Sequence, residues 1–280
     1  MSDHLPEDLK EQVLAKLGFN QSPPLTLAGL NALYQAWCFN IPFENVSKMI
    51  GLLQSASPLP GQSASEYFSS WLAHGSGGTC WPGANALFML IDACGFKARR
   101  VAASMLDLGE PTHGTVKINI EGKDWMADAS ILSNEVLPLD PTQRYVHGAT
   151  EIDIEVEPVD DGFRIWFETA IRKDKMPCRL LDDPSDFEFF CFAYEESRTR
   201  SPFNESVYVH RHQPGKSHIQ IGQTQFIKSG GVASKKELSG DEIVASLIND
   251  MALSEEIVEK WVAVGGLEST LTKPIATPVT

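Results

Sequence analysis

In the stretch Gly75-Ser76-Gly77-Gly78-Thr79-Cys80-Trp81-Pro82, glycine-rich chain leads into an apolar-periodic segment, with a cysteine at the junction. A thiol at a helix start faces unpaired backbone N–H groups and the positive end of the helix dipole, and both favour the thiolate. Cys80 is therefore placed to act as a nucleophile. The glycines let the backbone approach a substrate carbonyl, and amides near Cys80 are positioned to hold the oxyanion of a tetrahedral intermediate. The competing reading is a buried structural cysteine behind a flexible loop. A phosphate-binding loop is not supported, because the Lys-Ser/Thr pair is missing and no strand clearly precedes the glycines.

Working outward, the first ~95 residues carry helical periodicity. Pro6 to Leu17 sets Leu9, Val13, Leu14 and Leu17 on one face and stops at Gly18. Thr26 caps a second helix through Leu27, Leu30, Leu33, Tyr34 and Trp37, and Ser63 with Glu66 has capping-box spacing for a third ending near His74. The helix from about Trp81 to Cys94 turns Ala84, Leu87, Phe88, Ile91 and Cys94 inward and stops at Gly95, so Cys94 is a core residue.

Beyond it the period changes to two. Thr115 to Ile120 and Trp125 to Ala129 form a predicted hairpin around Gly122-Lys123, and Ile152, Ile154, Val156 alternate before an Asp161-Gly162 turn and Phe163, Ile165, Phe167. Ser206 to His212 and Ser217 to Ile221 flank a Pro214-Gly215 turn, followed by helices capped at Ser239 (with Glu242) and Ser254. The Thr- and Pro-rich tail from Leu267 onward is expected to be loose.

A cysteine nucleophile needs a base, and the base needs an orienting carboxylate. His113 and Asp128 lie on the two arms of the predicted hairpin. In a two-residue hairpin loop, opposed residues here sum to an odd number, and 113 with 128 also does, which puts both on one face of the ribbon. A three-residue loop reverses the parity. His210 and His212 share a strand face with no evident third metal ligand and are expected on an exposed face. Five scattered cysteines (Cys38, Cys80, Cys94, Cys178, Cys191) suit neither a disulfide framework nor a zinc knuckle.

The chain has 280 residues, 42% of them apolar, enough for a full core, and its formal net charge of -14 argues against general nucleic-acid binding. No apolar run approaches a membrane span and Met1 to Lys10 lacks signal-peptide character, so a cytoplasmic protein is expected. Between Arg198 and Lys236 seven basic residues stand against Glu205 alone, a local +6 suited to the phosphates of a nucleotide-bearing donor. Lys97, Arg99 and Arg100 form a second basic cluster.

In chain order, Ile41-Pro42-Phe43-Glu44-Asn45-Val46, Gly77-Gly78-Thr79-Cys80, His113 before a strand, and Trp125-Met126-Ala127-Asp128 resemble the arylamine N-acetyltransferase family, with its PFENL segment, its RGGxC and its strand ending in a triad aspartate. Ser201-Pro202-Phe203-Asn204 and the following hairpin resemble the join to its third domain. The resemblance implies an α+β fold with a cysteine-protease-like core: an N-terminal helical bundle (1–97) carrying Cys80, a central antiparallel β-barrel (98–205) carrying His113 and Asp128, and a C-terminal α/β lid (206–280). It implies ping-pong acyl transfer from acetyl-coenzyme A as cosubstrate to an aromatic amine or hydrazine, with no permanently bound cofactor and no metal. In that scheme Cys80 carries the acetyl group, His113 moves protons and Asp128 orients the imidazolium.

The sequence also departs from the family. Ser76 stands where an arginine is expected, so Glu44 lacks that partner or uses another cation such as Arg100; Pro82 replaces a glutamate; Ala129-Ser130-Ile131-Leu132 replaces valine-glycine-phenylalanine-glycine. Trp81, Phe43 and Trp125 lie beside the motifs and either line an aromatic pocket or pack in the core. Two other readings remain: a cysteine hydrolase or amide synthase using another acyl donor, and a non-catalytic descendant that binds ligand.

Overall fold

The computed structural model describes residues 3–148, 152–170, 174–230 and 232–273. Helices α1 (Glu7–Lys16) and α2 (Leu27–Asn40) lead to a two-residue strand β1 (Phe43–Glu44), then α3 (Val46–Leu53), α4 (Ala64–His74) and α5 (Cys80–Ala93). The expected caps form: the Thr26 hydroxyl accepts from Gly29 N–H, and Ser63 accepts from Glu66 N–H. Gly75 then closes α4 in the left-handed conformation at φ 68, where an added Cβ would meet Ala252 O at 2.3 Å.

The middle of the chain builds an eight-stranded antiparallel barrel-like sheet. Its strands are β2 (Lys97–Met105), β3 (His113–Ile120), β4 (Lys123–Ala127), β5 (Leu137–Pro138), β6 (Tyr145–Gly148), β7 (Asp153–Val159), β8 (Gly162–Phe167) and β9 (Met176–Pro184), in the order β5-β4-β3-β2-β9-β8-β7-β6. Ile152, Ile154, Val156, Ile165 and Phe167 are buried together, as their alternation predicts. Helix α6 (Phe187–Arg200) packs against α5, and its Tyr194 hydroxyl donates to the Pro60 carbonyl. Strands β10 (Tyr208–Gln213), β11 (Lys216–Ile221), β12 (Thr224–Ser229) and β13 (Val232–Glu237) join β1 in a second sheet, ordered β1-β10-β11-β12-β13. Helices α7 (Gly240–Asn249), α8 (Glu255–Ala263) and α9 (Gly266–Thr272) pack against it, and the Ser239–Glu242 capping box opens α7.

Two expectations are corrected here. The chain from Leu267 is helical through Thr272, because Gly266 seats closely against the Trp261 indole and Thr270 is buried; the remainder of that tail lies outside the described residues. His210 and His212 are not on an exposed face: they are 8% and 0% exposed. Strand β10 is covered by α2, and the His212 ring meets the Asn134 side chain at 3.4 Å.

Candidate active site

The hairpin of β3 and β4 turns on Glu121-Gly122, one residue earlier than the sequence suggests, and pairs Ile120 with Lys123. It is still a two-residue loop, so His113 and Asp128 share a face. His113 Nε2 and Asp128 Oδ2 lie 2.7 Å apart, both side chains all but excluded from solvent. The other Asp128 oxygen accepts from the backbone N–H groups of Ser130 and Ile131, each at 2.9 Å. With Nε2 committed to Asp128, Cys80 is the other group that acts on the His113 ring. His113 and Asp128 are thus brought together and buried, and half-buried Cys80 lies at the start of α5.

The electrostatics follow from that arrangement. Burial works against a charged imidazole, yet the charge and hydrogen bond of Asp128, followed by the contact with Cys80, outweigh it and raise His113 from 6.5 to about 10. Burial pushes Asp128 up, but His113 and the two backbone donors hold it below the ordinary carboxylate range.

Several local devices place these groups. Thr79 and Cys80 begin α5, and Pro82 sits in its first turn, where an amide hydrogen is not needed for the helix. Gly114 leaves room for Trp81 and Phe190 against β3: a Cβ there would come within 2.8 Å of the indole. This close seating carries the start of α5 to His113. Phe43 bridges to Gly78, whose carbonyl accepts from Glu44 N–H at 3.2 Å, and Phe43 also pairs with His210 of β10. One short strand therefore ties the cysteine loop to the second sheet. Asn45 strengthens the tie by donating to the carbonyls of Phe203 and Ser206 and accepting from Tyr208 N–H at 2.7 Å.

The Glu44 carboxylate caps α3 through the N–H groups of Val46 and Ser47. Arg100 is not its partner. Arg100 donates to Asn85 Oδ1 at 2.7 Å and stacks over Phe88; among the described residues no cation comes within ion-pair distance of Glu44, and burial raises it to about 7. Ser76 bonds to Ser70 instead, at 2.6 Å. Trp81 and Phe43 are core residues: Trp81 packs edge-on to Phe189 and Phe190, and Phe43 packs edge-on to Phe203 and Tyr208. Half-buried Trp125 packs on the core of the first helices.

The basic stretch after residue 198 is largely neutralised within the fold. Arg198 meets Glu195, Lys228 meets Glu168, Lys235 meets Glu237, Lys236 meets Glu242, and Arg211 donates to the Asp250 carbonyl. Four of its seven cations are thus paired with carboxylates, which reduces the charge the stretch presents to an anion. Sequence reasoning also missed Tyr34. Its hydroxyl donates to the Asp128 carbonyl at 2.8 Å and accepts from the N–H groups of Asp128 and Ser133, clamping the chain that carries the carboxylate. The available signal was a hydroxyl on an otherwise apolar helix face.

A family profile described as N-acetyltransferase matches residues 26–256, and the chain belongs to the arylamine N-acetyltransferase family. Solved structures with the same fold include a Mycobacterium smegmatis N-arylamine acetyltransferase, at TM-score 0.80 and 15% identity over 94% of this chain and 98% of that one. Mycobacterium marinum arylamine N-acetyltransferase in complex with CoA matches at TM-score 0.78 and 17% identity, over 95% and 99%. A Bacillus cereus arylamine N-acetyltransferase with a Cys-His-Glu triad matches at TM-score 0.72 and 13% identity, over 88% and 98%. No curated protein matches by sequence. Among the described residues no helix is long and apolar enough to cross a membrane.

Proposed function

We propose that the chain moves an acetyl group from acetyl-coenzyme A to an aromatic amine or hydrazine in two half-reactions, through a thioester on Cys80. The observation that carries this reading is the buried His113–Asp128 pair within reach of a cysteine at a helix start. In the first half-reaction the Cys80 sulfur attacks the thioester carbonyl. Its bond to carbon forms, the bond to the coenzyme A sulfur breaks, and that sulfur takes the His113 proton. In the second, the amine attacks the Cys80 thioester and the neutral imidazole receives the amine proton, which restores the starting ion pair. Asp128 holds the ring and stabilises its charged form. The coenzyme A complex of the M. marinum protein supports the choice of donor.

Mixing the protein with acetyl-coenzyme A alone is expected to give one acetyl adduct by intact mass spectrometry, abolished by Cys80→Ser. No adduct, with Cys80 still reacting readily with iodoacetamide, would point to a cysteine enzyme with another donor. Absence of both reactions would leave a ligand-binding protein.

A further inference from the structure

The chain that follows Asp128 is held to helix α2 by a polar stripe. Asn31, Tyr34 and Cys38 stand at i, i+3 and i+7 and so share one face of α2. Asn31 Oδ1 accepts from Val136 N–H at 2.9 Å, and Cys38 bonds to the Asn134 backbone. The Tyr34 hydroxyl, at the centre of the stripe, has four contacts. It donates to the Asp128 carbonyl at 2.8 Å, accepts from Asp128 N–H at 3.1 Å and from Ser133 N–H at 3.2 Å, and lies 3.0 Å from Ser133 Oγ. Tyr34 is wholly buried, and burial raises its hydroxyl well above its ordinary range, so it stays protonated and keeps its donor.

The segment it holds is strained. Leu132 and Asn134 both take the left-handed conformation, at φ 54 and φ 64, which a leucine adopts only where its surroundings impose it. Ser133, between them, is one end of the Tyr34 clamp, and Asp128 is the other. Within that span the N–H groups of Ser130 and Ile131 turn back to Asp128 Oδ1, which leaves Oδ2 for His113. The direction of the carboxylate therefore depends on one turn of chain, and a single hydroxyl fixes both of its ends.

We propose that Tyr34 is a positioning residue for the proton-moving pair: its hydroxyl pins residues 128 and 133 and so sets the direction of the Asp128 carboxylate and its ion pair with His113. The proposal rests on the reading of His113 as the proton carrier and adds the group that keeps its partner in place. Tyr34 touches no reacting atom. Without the hydroxyl, the buried N–H groups of Asp128 and Ser133 lose this acceptor, Leu132 and Asn134 relax out of the left-handed region, and the Ser130 and Ile131 donors move with them. Oδ2 then leaves its 2.7 Å contact, and burial, which opposes a charged ring, regains its weight at His113.

Tyr34→Phe keeps the ring and removes the oxygen. The ¹⁵N shifts of the His113 ring, followed over pH in the intact protein without any acyl donor, are expected to place loss of the second ring proton about one pH unit or more below the unsubstituted protein, a tenfold fall in proton affinity. Asn31→Ala removes a different bond from the same stripe to the same loop; it is expected to lower Tm and leave that midpoint in place. Ser133→Ala takes away one of the four contacts and is expected to lower the midpoint by about 0.3 unit, a twofold change. An unmoved midpoint in folded Tyr34→Phe overturns the proposal, as does a shift of equal size in Asn31→Ala. Should Tyr34→Phe not fold, an unmoved midpoint in Ser133→Ala overturns it. Acyl transfer is read separately: failure of the unsubstituted protein to take an acetyl group from acetyl-coenzyme A overturns the thioester reading and leaves the His113 titrations to decide the role of Tyr34.

Discussion

Asp128→Asn is expected to lower acylation of Cys80 by a factor on the order of 10⁴ while the chain stays folded. The substituted side chain keeps an oxygen for the N–H groups of Ser130 and Ile131, which bond only to Oδ1. What it loses is the charge facing His113 Nε2. Burial alone disfavours the charged imidazole, so His113 becomes neutral near pH 7. The new amide also donates to Nε2 and pins the ring hydrogen on the other nitrogen, the wrong tautomer for accepting a proton there. Single-turnover acylation with acetyl-coenzyme A, beside circular dichroism as a check on folding, separates this from simple unfolding. A loss below about tenfold in a folded variant would remove Asp128 from the mechanism.

Gly77→Ala is expected to destabilise the protein by roughly 3 kcal/mol or more, lowering Tm by on the order of 10 °C. An alanine Cβ at this position would lie 1.9 Å from the Pro42 carbonyl oxygen and 3.0 Å from its carbon. Both are backbone atoms in the segment that enters β1, so no side-chain rotation relieves the overlap. Separating the strands would break the Gly78–Glu44 hydrogen bond and the Phe43–Gly78 bridge, the tie between the cysteine loop and the second sheet. Thermal unfolding measures the loss directly. A Tm within about 2 °C of the unsubstituted protein would show that this close approach does not govern the loop.

The candidate site was legible in the sequence because its geometry is local. A two-residue loop and the alternation of a β-ribbon suffice to put His113 and Asp128 on one face, and a one-residue error in the turn position does not change the parity. Helix caps at Thr26, Ser239 and Ser254 were legible for the same reason: donor and acceptor lie within four residues. Helices α3 and α6 were not. Helix α3 is only eight residues, about two turns, and its N-cap residue Asn45 makes no side-chain capping bond, so neither a long stripe nor a cap marks it. In α6 the dense Phe187, Phe189, Phe190 and Phe192 do not follow one helical stripe, and the Asp186 cap is the clearest local mark of the start.

Contacts between distant segments account for the remaining differences. The burial of His210 and His212 depends on α2 and the loop near Asn134 covering β10, and no alternation within the strand encodes that docking. Glu44 is similar. The cation nominated for it, Arg100, is drawn away by Asn85 and the Phe88 ring. The basic stretch misled because charge counted along the chain omits Glu168, Glu195 and Glu242, which fold against it.

The charged pair behind Cys80 has a direct spectroscopic test, the ¹⁵N shifts of the His113 ring followed from about pH 6 to about pH 9. With the folded value raised from 6.5 to about 10, the pair's contribution to stability is fully present below about pH 6.5 and lost as pH rises through about 10. Both ring nitrogens should therefore remain protonated across most of that range in the unsubstituted protein. A ring that loses its proton near the ordinary histidine value, with Asp128 intact, would contradict the account.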